Sequence, residues 1–371
     1  MRTLFVIRAT PTPEHSASTR YRVLNALPYL REHGVEDELI PRTPTSSDDI
    51  GASLDRITFA SRVLLRASQC DVVYVQRTLF PPAYFDLLKS VTGEVVYDFD
   101  DALYAVPPWK DDVNTARRAN LNQVLEKASL VVAGSPVLEE YTARYTDRTR
   151  CLTTSLPRED YERARGEGES DDEGVTIGWI GYPANLRYLS LIEDVLSEVL
   201  DTNSDARLRV ITGDEMPVAP LRGREDVRYR TWSPEAELDY LGAVDIGIRP
   251  LPNDAWARGK GGFTSVVQMM ALGIPVVVTP LSMLERIVTH EDSGFHATTD
   301  REWIEHLGTL IEDADLRDSM GERAFRAVGE QGLWTEDYAE GLLEVFRSIE
   351  NDRSRTDPDG RPLTGLRRLV K

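Results

Sequence analysis

The chain has 371 residues, a length that suits two domains rather than one, and 41% of it is hydrophobic, enough for packed cores rather than a disordered chain. A formal net charge of -19 leaves no basic face of the kind that phosphate neutralisation needs, which argues against a nucleic-acid partner. No apolar stretch approaches the roughly 20 residues that cross a bilayer, and the apolar run near the start ends at Arg8, too short for a signal-peptide core.

The basic residues are almost all arginine; the lysines are Lys89, Lys110, Lys127, Lys260 and Lys371. An acidic, lysine-poor chain fits work in concentrated salt, where ions screen carboxylate repulsion. A GC-rich genome would explain the lysine shortage but not the excess of acid. Cys70 and Cys151 lie far apart, have no metal-ligand spacing, and read as buried free thiols beside strands.

In chain order, the first half shows the apolar runs TLFVI, DVVYV, EVVYDF and SLVVAG. Helices are expected between them at 18–33, 53–67, 81–88 and 115–127. Runs of Val, Ile and Leu without alternation suit parallel strands buried on both faces, and helices between such runs make βαβ units. Residues 158–173 are acidic and glycine-bearing, and read as a linker or a long surface connection. The rhythm then restarts with VTIGWIG, ARLRVITG, DIGIRPL and GIPVVVT, with helices expected at 185–200, 234–243 and 262–272 and a wholly helical stretch from 300 to 351. The expected domains are 1–157 and 174–351, followed by a tail at 352–371. The implied architecture is α/β: two Rossmann-like, doubly wound domains facing a cleft, with ligands beyond the carboxyl ends of the strands.

Three places carry candidate chemistry. Lys260 stands among glycines ahead of a helix that Gly273 should cap, so its ammonium and the amides at 262, Phe263 and Thr264 would favour an anion such as a diphosphate. Asp98, Asp100 and Asp101 crowd the end of a strand, where like charges are costly unless used. Their alternatives are a functional contact by Asp100 or Asp101, capping of the next turn, or a divalent metal. The loop TPTPEHSASTRYR leads into a helix with Ser18 or Thr19 as N-cap, and Arg20, rather than Arg22, is the favoured anion contact there. His33, His290, His296 and His306 show no constellation, and no serine–histidine–acid pattern or nicotinamide fingerprint is present.

The stretch RGKGGFTSVVQMMALGIPVVVTP resembles the donor-binding segment of the retaining GT-B glycosyltransferases of glycosyltransferase family 4. SASTRYRVLNALPYL, VVYDFDDALY, IGWIGYPANLRYLSLI, TWSPEAELDYLGAVDIGIRPLPNDAW and LRDSMGERAFRAV extend the resemblance over most of the chain. The resemblance implies transfer of a sugar, with retention, from a nucleoside diphosphate sugar to a hydroxyl acceptor such as a lipid-linked glycan or polysaccharide precursor. No cofactor and no metal are expected. The family usually has two glutamates where this chain has Lys260 and Gln268, so Gln268 would bond the ribose while Lys260 meets phosphate. Gly181, Arg187, Phe263 and Thr264 complete the expected donor set. Asp100 and Asp101 are the expected catalytic pair, and Ser18, Arg20 and Arg258 are candidate anion or acceptor contacts. The competing readings are a non-catalytic nucleotide-sugar-binding protein and a sugar-nucleotide epimerase. A cytoplasmic location is expected. The end of the tail, with Arg361, Arg367, Arg368 and Lys371 among leucines, is either a disordered terminus or a weak foot on anionic lipid.

Overall fold

A computed structural model describes residues 1–9, 12–42, 50–107, 115–166, 174–214, 219–260 and 263–356. The tail segment 361–371 therefore lies outside the described residues. The chain divides into two units. One comprises described residues of Met1–Thr154, with Lys260 and the helix Thr335–Thr356; the other comprises those of Ser155–Gly259 and Phe263–Trp334.

In the first unit β1 (Arg2–Arg8), β2 (Glu36–Arg42), β3 (Val72–Gln76), β4 (Glu94–Phe99), β5 (Leu130–Ala133) and β6 (Thr149–Cys151) form a six-stranded parallel sheet of order β2-β1-β3-β4-β5-β6. Phe5 sits in register between Leu39 and Tyr74, so successive strands stack their side chains into two cores, one on each face. On one face Val73, Tyr97 and Phe99 meet Phe85, Leu121 and Leu125 from the flanking helices. On the other, Phe5, Tyr74 and Val96 are covered by Leu27, Leu30 and by Tyr338, Leu342, Phe346 and Ile349. Those last four recur at three- and four-residue spacing, the apolar stripe of a helix packed on one side.

In the second unit β7 (Val175–Ile180), β8 (Ala206–Thr212), β9 (Val227–Thr231), β10 (Ile246–Arg249), β11 (Val276–Val278) and β12 (Gly294–His296) form another parallel sheet, of order β12-β11-β10-β7-β8-β9. Trp179, Leu208, Ile248, Leu196 and Trp303 lie in its core. The helix Thr264–Ala271 ends in a Schellman motif: Gly273 takes φ 76°, its N–H donates to Met270 O at 3.0 Å, and Ile274 N–H donates to Met269 O at 3.0 Å. The glycine cap expected from the sequence is thus in place.

Several boundaries differ from the sequence reading. The stretch 158–173 opens as a helix, Arg158–Ala164, anchored by the buried Tyr161. The 300–351 stretch is three helices, Asp300–Glu312, Ala314–Glu330 and Thr335–Thr356, broken at 331–334, and the third belongs to the first unit rather than the second. Ser16, not Ser18 or Thr19, is the N-cap of the helix Ala17–Arg22. Both cysteines are free, and Cys70 is buried, whereas Cys151 on edge strand β6 is only partly so.

Candidate functional site

In each parallel sheet the strand order reverses at one point, and the crevice there is where such folds bind ligands. In the first unit this point lies between β1 and β3, where the following loops carry the polar residues. Thr19 Oγ1 lies 2.9 Å from Arg8 O and 2.8 Å from Gln76 Oε1, and Gln76 Nε2 donates to Ser18 O at 2.8 Å. These bonds fix the first helix turn against the ends of β1 and β3. Arg77 follows β3 at φ 52°, a left-handed conformation that costs a non-glycine residue about 1–3 kcal/mol. Its N–H donates to Asp98 O at 2.8 Å, and its guanidinium turns to the aspartates after β4.

The three aspartates divide sharply. Asp98 is fully buried and paired with the fully buried Arg22, whose Nε lies 3.1 Å from both carboxylate oxygens and whose Nη1 donates to Leu152 O at 2.8 Å. Burial alone would lower the Arg22 pKa, but the Asp98 charge overrides it and holds the guanidinium well above its ordinary value. Asp101 pairs with Arg77 Nη2. Asp100 accepts from Ser18 Oγ, and its Oδ1 is buried with no hydrogen-bond partner among the described residues, Arg77 Nη1 standing 3.5 Å away. Burial would raise the Asp100 pKa; Arg77 and Arg22 with the Ser18 hydrogen bond outweigh it and hold the carboxyl below its usual value. Asp98 and Asp101 are thus paired closely with arginines, and of the three only Asp100 has a buried oxygen with no hydrogen-bond partner among the described residues. Among the described residues no group of three His, Cys, Asp or Glu side chains is placed to hold a metal ion.

Of the residues expected here, Ser18 and Asp100 are brought together. Arg20 instead lies over the Tyr21 ring, 4.4 Å from its centroid. Arg22, the arginine set aside in the sequence reading, is the one at the centre of the cluster. Arg77 was missed altogether.

In the second unit the order reverses between β7 and β10. Gly181 ends β7 here, and a Cβ on it would meet the Trp179 indole at 2.7 Å and Arg249 Nη1 at 3.4 Å. The missing side chain lets the Trp179 indole pack directly against the backbone at the end of β7, with Arg249 Nη1 beside it. Arg187 donates from Nε to Ala184 O at 2.9 Å, within its own turn, while Tyr182 is exposed. The expected helix N-terminus begins at Thr264, with Phe263 as a buried N-cap held at φ 34°. Gln268, one turn further on, is buried and donates to Tyr161 Oη at 2.9 Å. Arg258 is exposed and donates to Asn253 Oδ1 at 2.6 Å. Lys260, three residues ahead of Phe263 in sequence, is half-buried and is grouped with the first unit.

Three histidines dismissed as scattered do assemble. The His290 ring lies 5.4 Å from His296 and 5.6 Å from His306, with Phe295 stacked on His306 at 4.4 Å. His296 and His306 titrate below the ordinary histidine value, in each case chiefly through burial. The signal was separation: β12 and the helix Asp300–Glu312 bring together residues six and ten apart.

Comparison with known proteins agrees with this architecture. The fold is GT-B, two parallel six-stranded Rossmann-like sheets with flanking helices, as in Anabaena Alr3699/HepE in complex with UDP and glucose (TM-score 0.68, 15% identity, 93% of this chain and 99% of that one). Sucrose-phosphate synthase (tll1590) from Thermosynechococcus elongatus matches at TM-score 0.69 and 14% identity over 95% of this chain and 100% of that one. A glycosyltransferase from Rickettsia africae ESF-5 gives 0.68 and 14% over 95% and 99%. Within this fold, residues 174–313 match the family model described as Glycosyl transferases group 1. No curated protein sequence matches.

Proposed function

We propose that the protein is a glycosyltransferase that moves a sugar, with retention, from a nucleoside diphosphate sugar to a hydroxyl acceptor, as resemblance to family 4 implies. The observation that carries this reading is the group 1 glycosyl transferase match over 174–313, because that segment contains the Gly181 crevice and the 260–268 stretch. In the reaction the bond from the sugar's C1 to the β-phosphate oxygen breaks, its electron pair going to that oxygen. The acceptor oxygen bonds to C1, and its proton leaves with the nucleoside diphosphate. Charge grows on the diphosphate as the bond breaks, so fixed cations and amides aimed at it lower the barrier most.

On this reading Gly181, Phe263, Thr264 and Gln268 belong to the donor half, with Arg187 and Lys260 as candidate cations. Asp100 acts on a hydroxyl. A carboxylate held below its usual pKa is a weak base but a ready hydrogen-bond acceptor, so its open Oδ1 orients a sugar or acceptor hydroxyl rather than removing its proton. Arg77, itself paired with Asp101, holds Asp100 in place. The reaction is metal-independent, and the acceptor is a lipid-linked glycan or polysaccharide precursor reached from the cytoplasmic side.

The test is release of nucleoside diphosphate from a panel of nucleotide sugars, with and without lipid-linked acceptor, in molar KCl and EDTA, with the product anomer read by NMR. Transfer with retention should survive EDTA. Asp100→Asn should lower kcat by roughly 10²-fold or more while leaving nucleotide affinity unchanged. Loss of activity in EDTA with recovery in Mn²⁺ would replace this reading with a metal-dependent one. Nucleotide binding without any turnover would leave a binding protein.

A further inference from the structure

Arg249 is the last residue of β10, a strand otherwise made of apolar and small residues in the middle of the sheet. It is 5% exposed, and among the described residues its side chain makes one hydrogen bond, Nη1 to Ile180 O at 3.3 Å. No carboxylate of the described residues lies within ion-pair distance of it, and Nε has no hydrogen-bond partner. The guanidinium carbon stands 5.9 Å from the centroid of the Trp179 ring. Burying an uncompensated charge is expensive, and where no partner is built in, a ligand is the usual reason to tolerate it.

The direction of the side chain says what that ligand is. Arg249 reaches from the end of β10 to the end of β7, across the point where the strand order reverses, and its Nη1 lies beside the side-chain-free backbone of Gly181. Burial lowers its pKa to about 10, which still leaves it charged at neutral pH. A planar cation with unused donors in a desolvated crevice fits an anion with several oxygens, held bidentately. Neither expected cation has this setting: Arg187 is turned into its own loop at Ala184, and Lys260 lies on the glycine-flanked segment before Phe263.

We propose that Arg249 binds the diphosphate of the donor and receives the negative charge that develops on it as the sugar leaves. This inference rests on the nucleotide-sugar reading above and assigns that site its principal cation.

The test uses the full chain in wild-type, Arg249→Met and Arg249→Lys forms. Calorimetry in KCl compares UDP, GDP, ADP and dTDP with their nucleosides and with inorganic pyrophosphate, and melting is followed without ligand. The expected result is that Arg249→Met loses about 10- to 100-fold of diphosphate affinity, the scale of a charge-assisted hydrogen bond or two, with nucleoside affinity unchanged. Arg249→Lys should recover part of the loss. Without ligand Arg249→Met should melt at or above the wild-type temperature, since it removes a buried, uncompensated charge. A diphosphate affinity unchanged in Arg249→Met, or a lower melting temperature with no selective loss for diphosphate over nucleoside, would assign Arg249 to the core and overturn the proposal. If wild type binds pyrophosphate through Arg249 but no nucleotide, the anion role stands and the nucleotide-sugar reading fails. If it binds neither, both fail.

Discussion

Replacing Arg22 with Met strips the first unit of the cation that makes its most buried ion pair. Arg22 and Asp98 are both 0% exposed, and the pair is supplemented by the Arg22 bonds to Leu152 O and, at 3.4 Å, Thr154 Oγ1. Removing one partner leaves Asp98 desolvated with no cation, only the Tyr74 hydroxyl beside it, and breaking such a pair typically costs about 3–5 kcal/mol. For a unit of this size that is a fall of about 6–20 °C in melting temperature. The loss should depend on pH. With Arg22 gone, burial drives the Asp98 pKa upward, further above its unfolded value near ~3.9. A protonated Asp98 is tolerated, so the deficit is smallest in acid and grows as pH rises through the carboxylate range. Arg22→Met/Asp98→Leu should recover most of the stability, because it removes both charges together. Urea titration of wild type, both single variants and the double variant between pH 4 and pH 8 gives the coupling energy directly. A loss below about 1 kcal/mol in Arg22→Met, or a double variant as unstable as the single, would refute the argument.

Lys260→Ala should weaken nucleoside diphosphate binding, and Lys260→Arg should restore only part of it; equal affinities for wild type and Lys260→Ala by calorimetry would remove Lys260 from the donor site. The histidine cluster should make the second unit acid-sensitive. His296 and His306 have pKa values lowered in the folded state, so their contribution is present above the unfolded histidine value near ~6.5 and is lost as pH falls through the folded values. Glu285 favours the protonated form of His296, and Glu302 and Glu305 that of His306, while His290 opposes both. His290→Gln should therefore raise the titration midpoints of the other two by NMR, and unmoved midpoints would show that the rings do not sense one another.

The interior of each sheet was readable from the sequence and its margins were not. All eight apolar runs are strands β1, β3, β4, β5, β7, β8, β10 and β11, whereas the four strands left unread, β2, β6, β9 and β12, are the four sheet edges. An inner parallel strand is buried on both faces and so must be apolar throughout; an edge strand such as EDELIPR or VRYRT meets water and keeps its charges. The site was legible where chemistry clusters in sequence, as at Asp98, Asp100 and Asp101. It was not legible where partners come from distant strands. Arg22 meets Asp98 across 76 residues, and Arg77 meets Asp101 across 24. The signal for Arg77 and Arg249 was an arginine just at the end of an apolar strand, in VVYVQR and IGIR, where a charge is costly unless something uses it.

The helix Thr335–Thr356 has a consequence for how the chain comes to be folded. The second unit is, in sequence, an insertion: described residues up to Thr154 and those after Trp334 build one sheet and its covering, and those between, Lys260 aside, build the other. A ribosome releases Phe5, Tyr74 and Val96 long before Tyr338, Leu342 and Phe346, which cover them. Synthesis normally favours folding from the N-terminus. Here the order is inverted: the inserted unit can close while the first sheet still waits with one apolar face bare. The nascent first half thus carries an uncovered apolar sheet face until residues 338–349 have emerged.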